Sequence, residues 1–242
     1  MKINKNIAEF MGILIGDGHL HFSKKSDKRK VYYVSISGSF SEDYNYHNEH
    51  IKSLFYKIFK TNITLIKQNR RNELLTKKHS KEIVSYIKNN FDIPTGNKSD
   101  NCKIPENILK SNKKIKSAFL RGLADTDFSL MFKKKNKFSH DYPLIKITFK
   151  SKNLIKDVRT ILKEFEFKFG KIVKEVYFDK RFNKNYQKYN INLYGKNNLE
   201  KWMKLIGFKN IRQSTKYEIW KKFGFCPAKI NLKERLELLH EE

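Results

Sequence analysis

The stretches FMGILIGDGHLHF (residues 10–22) and LRGLADTDFSLMF (residues 120–132) are one stretch written twice. Laid one on the other, Ala8 meets Ala118, Gly12 meets Gly122 and Asp17 meets Asp127. The match runs without a gap as far as Lys24 on Lys134 and Lys25 on Lys135. An internal repeat of this kind fixes the architecture before any single element is considered. Each copy spaces small residues four apart: Ala8, Gly12 and Gly16 in the first, Ala118, Gly122 and Thr126 in the second. Residues at that spacing share one helix face. A strip of small side chains lets two helix backbones approach closely, so the two strips are expected to form an interface between the repeated helices. Each helix then ends on an aspartate, Asp17 or Asp127. A helix C-terminus carries partial negative charge, which disfavours a carboxylate there. Two such ends brought together invite a divalent cation bound through oxygen.

Outward from the two motifs, the same order of elements repeats. After the first come strands at HLHFSKK and VYYVSISGSF, a helix over residues 46–59, strands at ITLIKQN and NELLTKK, and a helix from about Ser80 to Asn90. Asn6 is the expected N-cap of the first motif helix, and Leu20 and Phe22 are expected to face inward with His21 and Ser23 outward. After the second motif come strands at SLMFKKK and PLIKITFK, a helix from Leu154 to Phe165, strands at KIVKEVYFD and KYNINLYG, and a last clear helical stripe of Leu199, Trp202, Met203 and Ile206 that ends at Gly207. Each half therefore reads α-β-β-α-β-β-α. The fold class is α+β: two pseudo-twofold halves, each a four-stranded antiparallel sheet with helices on one face. The expected division is 1–93 for the first half, 94–113 for a linker and 114–242 for the second half with a helical tail. The tail carries Leu232, Leu236 and Leu239 at helical spacing.

Composition points to the partner. Lys plus Arg number 52 against 25 Asp plus Glu, a net charge of +27. Such an excess favours a polyanion, nucleic acid first. No apolar run approaches the length of a spanning helix, which argues against a membrane partner. Cys102 and Cys226 sit in no metal-ligand spacing, and the start of the chain lacks a secretory pattern, so an intracellular protein with reduced thiols is expected. If helices cover one face of each sheet, the other faces form a saddle whose outward positions are Lys, Ser, Thr, His and Arg. Strands of that composition can lie in a major groove. The candidate DNA contacts are Lys24, Lys25, Lys28, Arg29 and Lys30, their counterparts Lys133, Lys134, Lys135 and Lys137, the turn residues Arg70, Arg71, Lys180, Arg181 and Lys184, and the strand residue Lys146.

FMGILIGDG and LRGLADTDF resemble the two motifs of LAGLIDADG homing endonucleases in their single-chain, two-motif form, and the elements after each motif extend the resemblance over nearly the whole chain. The resemblance implies a monomeric, site-specific endodeoxyribonuclease that cuts both strands of a long double-stranded target. It implies Asp17 and Asp127 as catalytic metal ligands, joined by the carbonyls of Gly16 and Thr126, with Mg²⁺ as cofactor and Mn²⁺ as a substitute. It also implies a basic catalytic residue near the end of the second strand, matched by Lys150. The first-half match falls at about Phe40, preceded by Ser39, with no lysine there. Phe128 stands where the motif ends in Gly, kept as Gly18 in the first copy; because Phe tolerates positive φ poorly, the second helix is expected to end differently. Asp125 faces away from the small strip and is expected to be hydrogen-bonded within its own half. The absence of flanking intein splicing residues points to an intron-encoded protein. Two alternatives stand beside the endonuclease: a maturase that binds host intron RNA, and a DNA-binding protein that does not cut.

Overall fold

The computed structural model describes residues 3–23, 28–68, 71–94, 101–134, 139–180 and 183–240. The first half runs α1 (Lys5–Gly16), β1 (Gly18–Phe22), β2 (Tyr32–Gly38), α2 (Phe40–Asn45), a π-helical stretch (Tyr46–Ile51), α3 (Lys52–Phe59), β3 (Thr64–Gln68), β4 (Glu73–His79) and α4 (Lys81–Phe91). A short α5 (Glu106–Leu109) precedes the second half: α6 (Lys113–Asp127), β5 (Ser129–Lys134), β6 (His140–Phe149), α7 (Lys152–Glu164), β7 (Val173–Asp179), β8 (Lys184–Tyr194) and α8 (Lys196–Leu205). Two further helices follow, α9 (Ile211–Phe223) and α10 (Leu232–His240).

Both sheets are four-stranded and antiparallel with the same topology, β1-β2-β4-β3 and β5-β6-β8-β7. Strand alternation divides their faces. Leu20, Val34, Ile36 and Leu74 in the first sheet, and Leu130, Ile145, Ile147, Ile191 and Leu193 in the second, are buried under the helices. Apolar positions at helical spacing supply the other side of this core: Leu54, Phe55 and Ile58 on α3, and Leu154, Ile155, Val158, Ile161 and Leu162 on α7. Side-chain caps fix the helix starts, from Asn4, Ser80, Asn112, Ser151 and Asn210. The cap of α1 is Asn4, which accepts from the Ile7 N–H at 3.0 Å, and not Asn6.

Along their lengths α1 and α6 pack against each other. A Cβ on Gly12 would come 2.7 Å from the Leu123 nitrogen, and one on Gly16 would come 2.7 Å from the Thr126 Cβ. A Cβ on Gly122 would collide with the Glu9 carbonyl. The backbones themselves are in contact, and the glycines are the reason.

Several local expectations differ from the structure. Ser23 is buried rather than outward, because its hydroxyl bonds the Val31 carbonyl across the hairpin at 2.8 Å. The helix expected from Tyr46 starts at Phe40, where Asp43 caps the entering backbone by accepting from the Ser39 N–H at 2.9 Å. Gly18 does not adopt positive φ, and Phe128 leaves α6 extended, with φ −89° and ψ 157°. Gly18 is instead short of room: a Cβ there would come 2.6 Å from the Leu14 Cα. The Phe128 ring is fully buried against Phe149 and Trp202.

Helix α9 lies beyond the expected last stripe at Gly207. Its sequence has almost no apolar face, and the side chains it buries include Gln213 and Thr215. Gln213 acts as a substitute strand at the edge of β5: its Oε1 accepts from the Leu130 N–H and its Nε2 donates to the Phe128 carbonyl, both at 3.0 Å. No described helix is long and apolar enough to cross a membrane.

The helix contact gives a direct test. Gly122→Ala is expected to cost on the order of 3 kcal/mol in urea unfolding, since overpacked backbone has little room to shift. Gly170→Ala, where a Cβ meets nothing within 4 Å, is expected to stay within about 0.5 kcal/mol.

Candidate active site and nucleic-acid interface

The close approach of α1 and α6 brings the ends of both motifs to one point. Gly16 faces Thr126, and the Asp127 Oδ2 lies 3.3 Å from where a Gly16 Cβ would stand. The Asp17 carbonyl accepts from the Ser37 N–H at 3.0 Å, which ties the first aspartate to β2. A cavity of about 220 Å³ opens beside them, lined by Gly16, Asp127, Thr148 and Lys150 among others. Lys150 follows directly on β6, is exposed, and holds its Nζ 4.5 Å above the Tyr186 ring. The structure thus places Lys150, Asp127 and Gly16 around one space. Asp17 and Asp127 with the carbonyls of Gly16 and Thr126 could offer a cation only hard oxygen donors, a set that would suit Mg²⁺ or Mn²⁺ better than a soft metal. Among the described residues no cluster of three or more His, Cys, Asp and Glu is placed to hold a metal. Water and phosphate oxygens would have to complete the shell. The Thr126 carbonyl is also not uncommitted, since the Arg212 Nη2 lies 3.4 Å from it.

A larger cavity, about 590 Å³, lies between Lys5, Lys113, Lys114 and Leu205 at the N-terminal ends of α1 and α6. Its lining includes one carboxylate, Glu166, and no pair.

Behind the aspartates runs a buried polar chain that joins the halves. Glu9 on α1 pairs with Arg121 on α6 and with the His50 Nε2 at 2.8 Å. Burial pushes the Glu9 carboxyl up, but the hydrogen bonds from His50 and Arg121 more than offset it, and the net shift is downward. Asp125 is not held within its own half alone. It accepts from the Lys209 N–H at 2.9 Å and the Asn210 N–H at 3.0 Å, and also from the Tyr46 hydroxyl of the first half at 3.3 Å. Burial pushes its carboxyl up to about 7 against the pull of those N–H groups. Asn210 Nδ2 in turn donates to the Asp43 Oδ1 at 2.8 Å.

The π-helical stretch makes this chain possible by turning both Tyr46 and His50 toward the motif helices. Sequence periodicity has no signal for it. Arg212, Asn210 and Asp43 were also absent from the sequence reading. The Asn210 cap, basic Lys221 and Lys222 in the last turn and Gly224 after it would have framed α9 without an apolar stripe.

The open faces of the two sheets carry the candidate contacts. On the first, His19 and His21 of β1 meet Tyr33 of β2, with His21 and Tyr33 stacked at 5.0 Å. His79 lies 5.5 Å from the same ring, and Lys77 Nζ sits 3.8 Å above it. On the second, Lys146, Thr148 and Asn190 share a face, and Lys133 Nζ lies 5.3 Å from the centre of the Tyr194 ring. Lys28, Arg29, Lys30, Arg71 and Lys134 are exposed at loops and strand ends. Lys180 lies in the turn directly after β7, as expected, and Lys184 begins β8 rather than lying in the turn. Lys24, Lys25, Arg70, Lys135, Lys137 and Arg181 lie outside the described residues.

With this geometry, comparison with known proteins is informative. Residues 114–207 match the family model of the LAGLIDADG-like domain. The second half is thus similar to a LAGLIDADG-like domain. The chain's fold is that of the single-chain homing endonucleases. A crystal structure of homing endonuclease I-DmoI with DNA and Mn aligns with a TM-score of 0.55 and 21% identity, over 84% of this chain and 96% of that one. A single-site mutant of I-SmaMI aligns with a TM-score of 0.57 and 9% identity, over 92% of this chain and 91% of that one. The chain is also 28% identical over 155 residues to a probable translation initiation factor IF-2 of Methanocaldococcus jannaschii. That match covers 63% of this chain but only 12% of the factor's length.

His47 supplies a pH test of the packing behind the site. It is buried, with its Nδ1 2.6 Å from the Thr76 hydroxyl. Burial pulls its pKa from an ordinary 6.5 to about 4, against the opposing charge of Asp43. Between those values the unfolded chain binds the proton more readily, so the His47 contribution is present above pH 6.5 and is lost as pH falls toward 4. The stability difference between wild type and His47→Gln, measured by urea unfolding, is expected to shrink over that window.

Proposed function

We propose that this chain is a site-specific DNA endonuclease that makes metal-dependent double-strand breaks in a long duplex target. The observation that supports the reading is the approach of the C-terminal ends of α1 and α6, where Gly16 meets Thr126 and Asp127 and Asp17 follows directly. The halves, taken as 1–93 and 114–242 around a 94–113 linker, would seat one on each side of the target's centre. The chain would act as a monomer, because both motifs are already present in it. The intron context rests on the family resemblance alone, and the translation factor's activity does not carry over from a match to an eighth of its length.

In this reading Asp17, Asp127 and the carbonyls of Gly16 and Thr126 hold Mg²⁺ or Mn²⁺. The cation, when bound, supplies an activated water and charge stabilisation at the scissile phosphates. Lys150 stands beside Asp127, where its ammonium would meet phosphate charge. The open-face residues, including Lys146, His21 and Tyr33, lie against base edges. Exposed Lys28, Arg29, Lys30, Arg71, Lys133 and Lys134 contact the backbone and fix register without reading sequence. The net charge of +27 makes binding strongly salt-dependent. Retention of both aspartates favours cutting over passive binding.

The test is cleavage of a randomised duplex library in Mg²⁺ and in EDTA, with the ends sequenced. Breaks at one long motif, in Mg²⁺ alone, are the expected result; an intact library would overturn the reading. Asp17→Asn and Asp127→Asn are each expected to slow cleavage by more than the roughly 10–100-fold of outer-shell changes, with DNA binding in EDTA kept.

A further inference from the structure

Strand register locates the basic group that the first half lacks. Leu20 pairs with Val34, and Leu130 pairs with Ile145. Counting forward equally from Val34 and Ile145, Lys150 corresponds to Ser39 and not to Phe40. Ser39 has no charge to offer. Its N–H donates to the Asp43 Oδ2 at 2.9 Å, and that same oxygen lies 3.4 Å from the Arg212 Nη1. The other end of this guanidinium lies 3.4 Å from the Thr126 carbonyl.

The repeat gives this position a meaning. Asp127, Gly16 and Lys150 border one cavity. Exchanging each residue for its repeat counterpart turns that set into Asp17, Thr126 and a group at position 39. Arg212 reaches both Thr126 and the carboxylate that holds Ser39. We propose that Arg212, supplied from α9, is the cation of the Asp17 centre and contacts the phosphate of the strand cut there, as Lys150 does at the Asp127 centre.

The simpler role for Arg212 is to neutralise buried Asp43. Three observations extend beyond it. Asp43 already accepts from Ser39 and Asn210. Both Arg212 contacts, at 3.4 Å, are longer than charge-assisted bonds normally are. A guanidinium has five donors, and this one keeps 28% of its side chain exposed. It can turn to a phosphate without abandoning a tight pair.

The inference rests on the endonuclease reading, and its test separates the two. The target recovered from the library is labelled separately on each strand. Arg212→Met is expected to slow cutting of one strand by about 10²-fold, the scale of losing one transition-state donor, and to spare the other. Lys150→Met is expected to do the reverse, and Arg212→Lys to recover part of the rate. In EDTA, Arg212→Met is expected to reduce the log–log salt slope of DNA binding by about 0.9, one phosphate contact. The double variant Asp43→Asn with Arg212→Met removes the buried pair as a unit. It is expected to regain thermal stability and to stay slow on the same strand. Equal slowing of both strands, an unchanged salt slope, or recovery of the rate in the double variant would each make Arg212 structural and overturn the proposal. A wild-type protein that cuts no duplex would instead remove the endonuclease reading itself.

Discussion

Backbone contact between α1 and α6 is the constraint on which the rest of the molecule depends. Gly12 and Gly122 leave each helix no side chain at the crossing, so the two axes meet at their closest approach. That closeness brings two helix C-termini and two aspartates to one place, an arrangement that is electrostatically unfavourable by itself. The strain has a direction: it favours a cation between the carboxylates and basic groups at the margin. Lys150 on one side and Arg212 near the other are where the fold sets them. The same packing that stabilises the core therefore prepares a charge imbalance that a metal and a phosphate can correct together.

Holding two sheets in a fixed relation needs more than one helix pair, and buried polar groups supply it. Glu9 with Arg121 and Asp125 with Tyr46 bond across the halves, while His50 supports Glu9 and the Lys209 and Asn210 N–H groups support Asp125 from within each half. Buried ions of this kind add little net stability, because desolvation offsets their attraction. Their effect is selective: a misdocked pair of halves would cost Glu9 its Arg121 partner and Asp125 its Tyr46 donor. Asp125 shows the balance most plainly, since its carboxyl is pushed up to about 7 even with two backbone donors in place.

The parts of the fold legible in sequence are those that repeat or alternate. Gly12, Gly122 and the two aspartates declared the motif helices, and strand alternation at Leu20 and Val34 or at Ile145 and Ile147 declared both sheets. The rest failed for physical reasons. Helix α9 has no apolar stripe: beside Ile219 it buries Gln213 and Thr215, and Gln213 bonds the edge of β5. The π-helical stretch inserts a register change that no period describes. Phe128 was read through φ, although its role is volume, with its ring filling the space between Phe149 and Trp202. Lys150 was legible by resemblance. Arg212 was not, since its place depends on register across β2 and on a helix that sequence had not located.

Duplication within one chain explains why the two halves need not match. Two identical subunits would have to place every group twice, whereas fused halves can divide the work. The C-terminal helices show the division. Arg235 on α10 is almost fully buried and reaches the Glu42 Oε2 at 2.7 Å, and the Leu232 N–H donates to the Glu42 Oε1 at 2.9 Å. Arg212 and Asn210 meet Asp43 one residue further along α2. Both acidic residues of α2 are thus answered by α9, its Asn210 cap and α10, which belong in sequence to the second half. A segment that straps the halves together is free to carry a group into the first half's centre, and a strand-end lysine there becomes dispensable. Serine at position 39 and an arginine at position 212 on a polar, stripe-free α9 are then complementary parts of the arrangement proposed above.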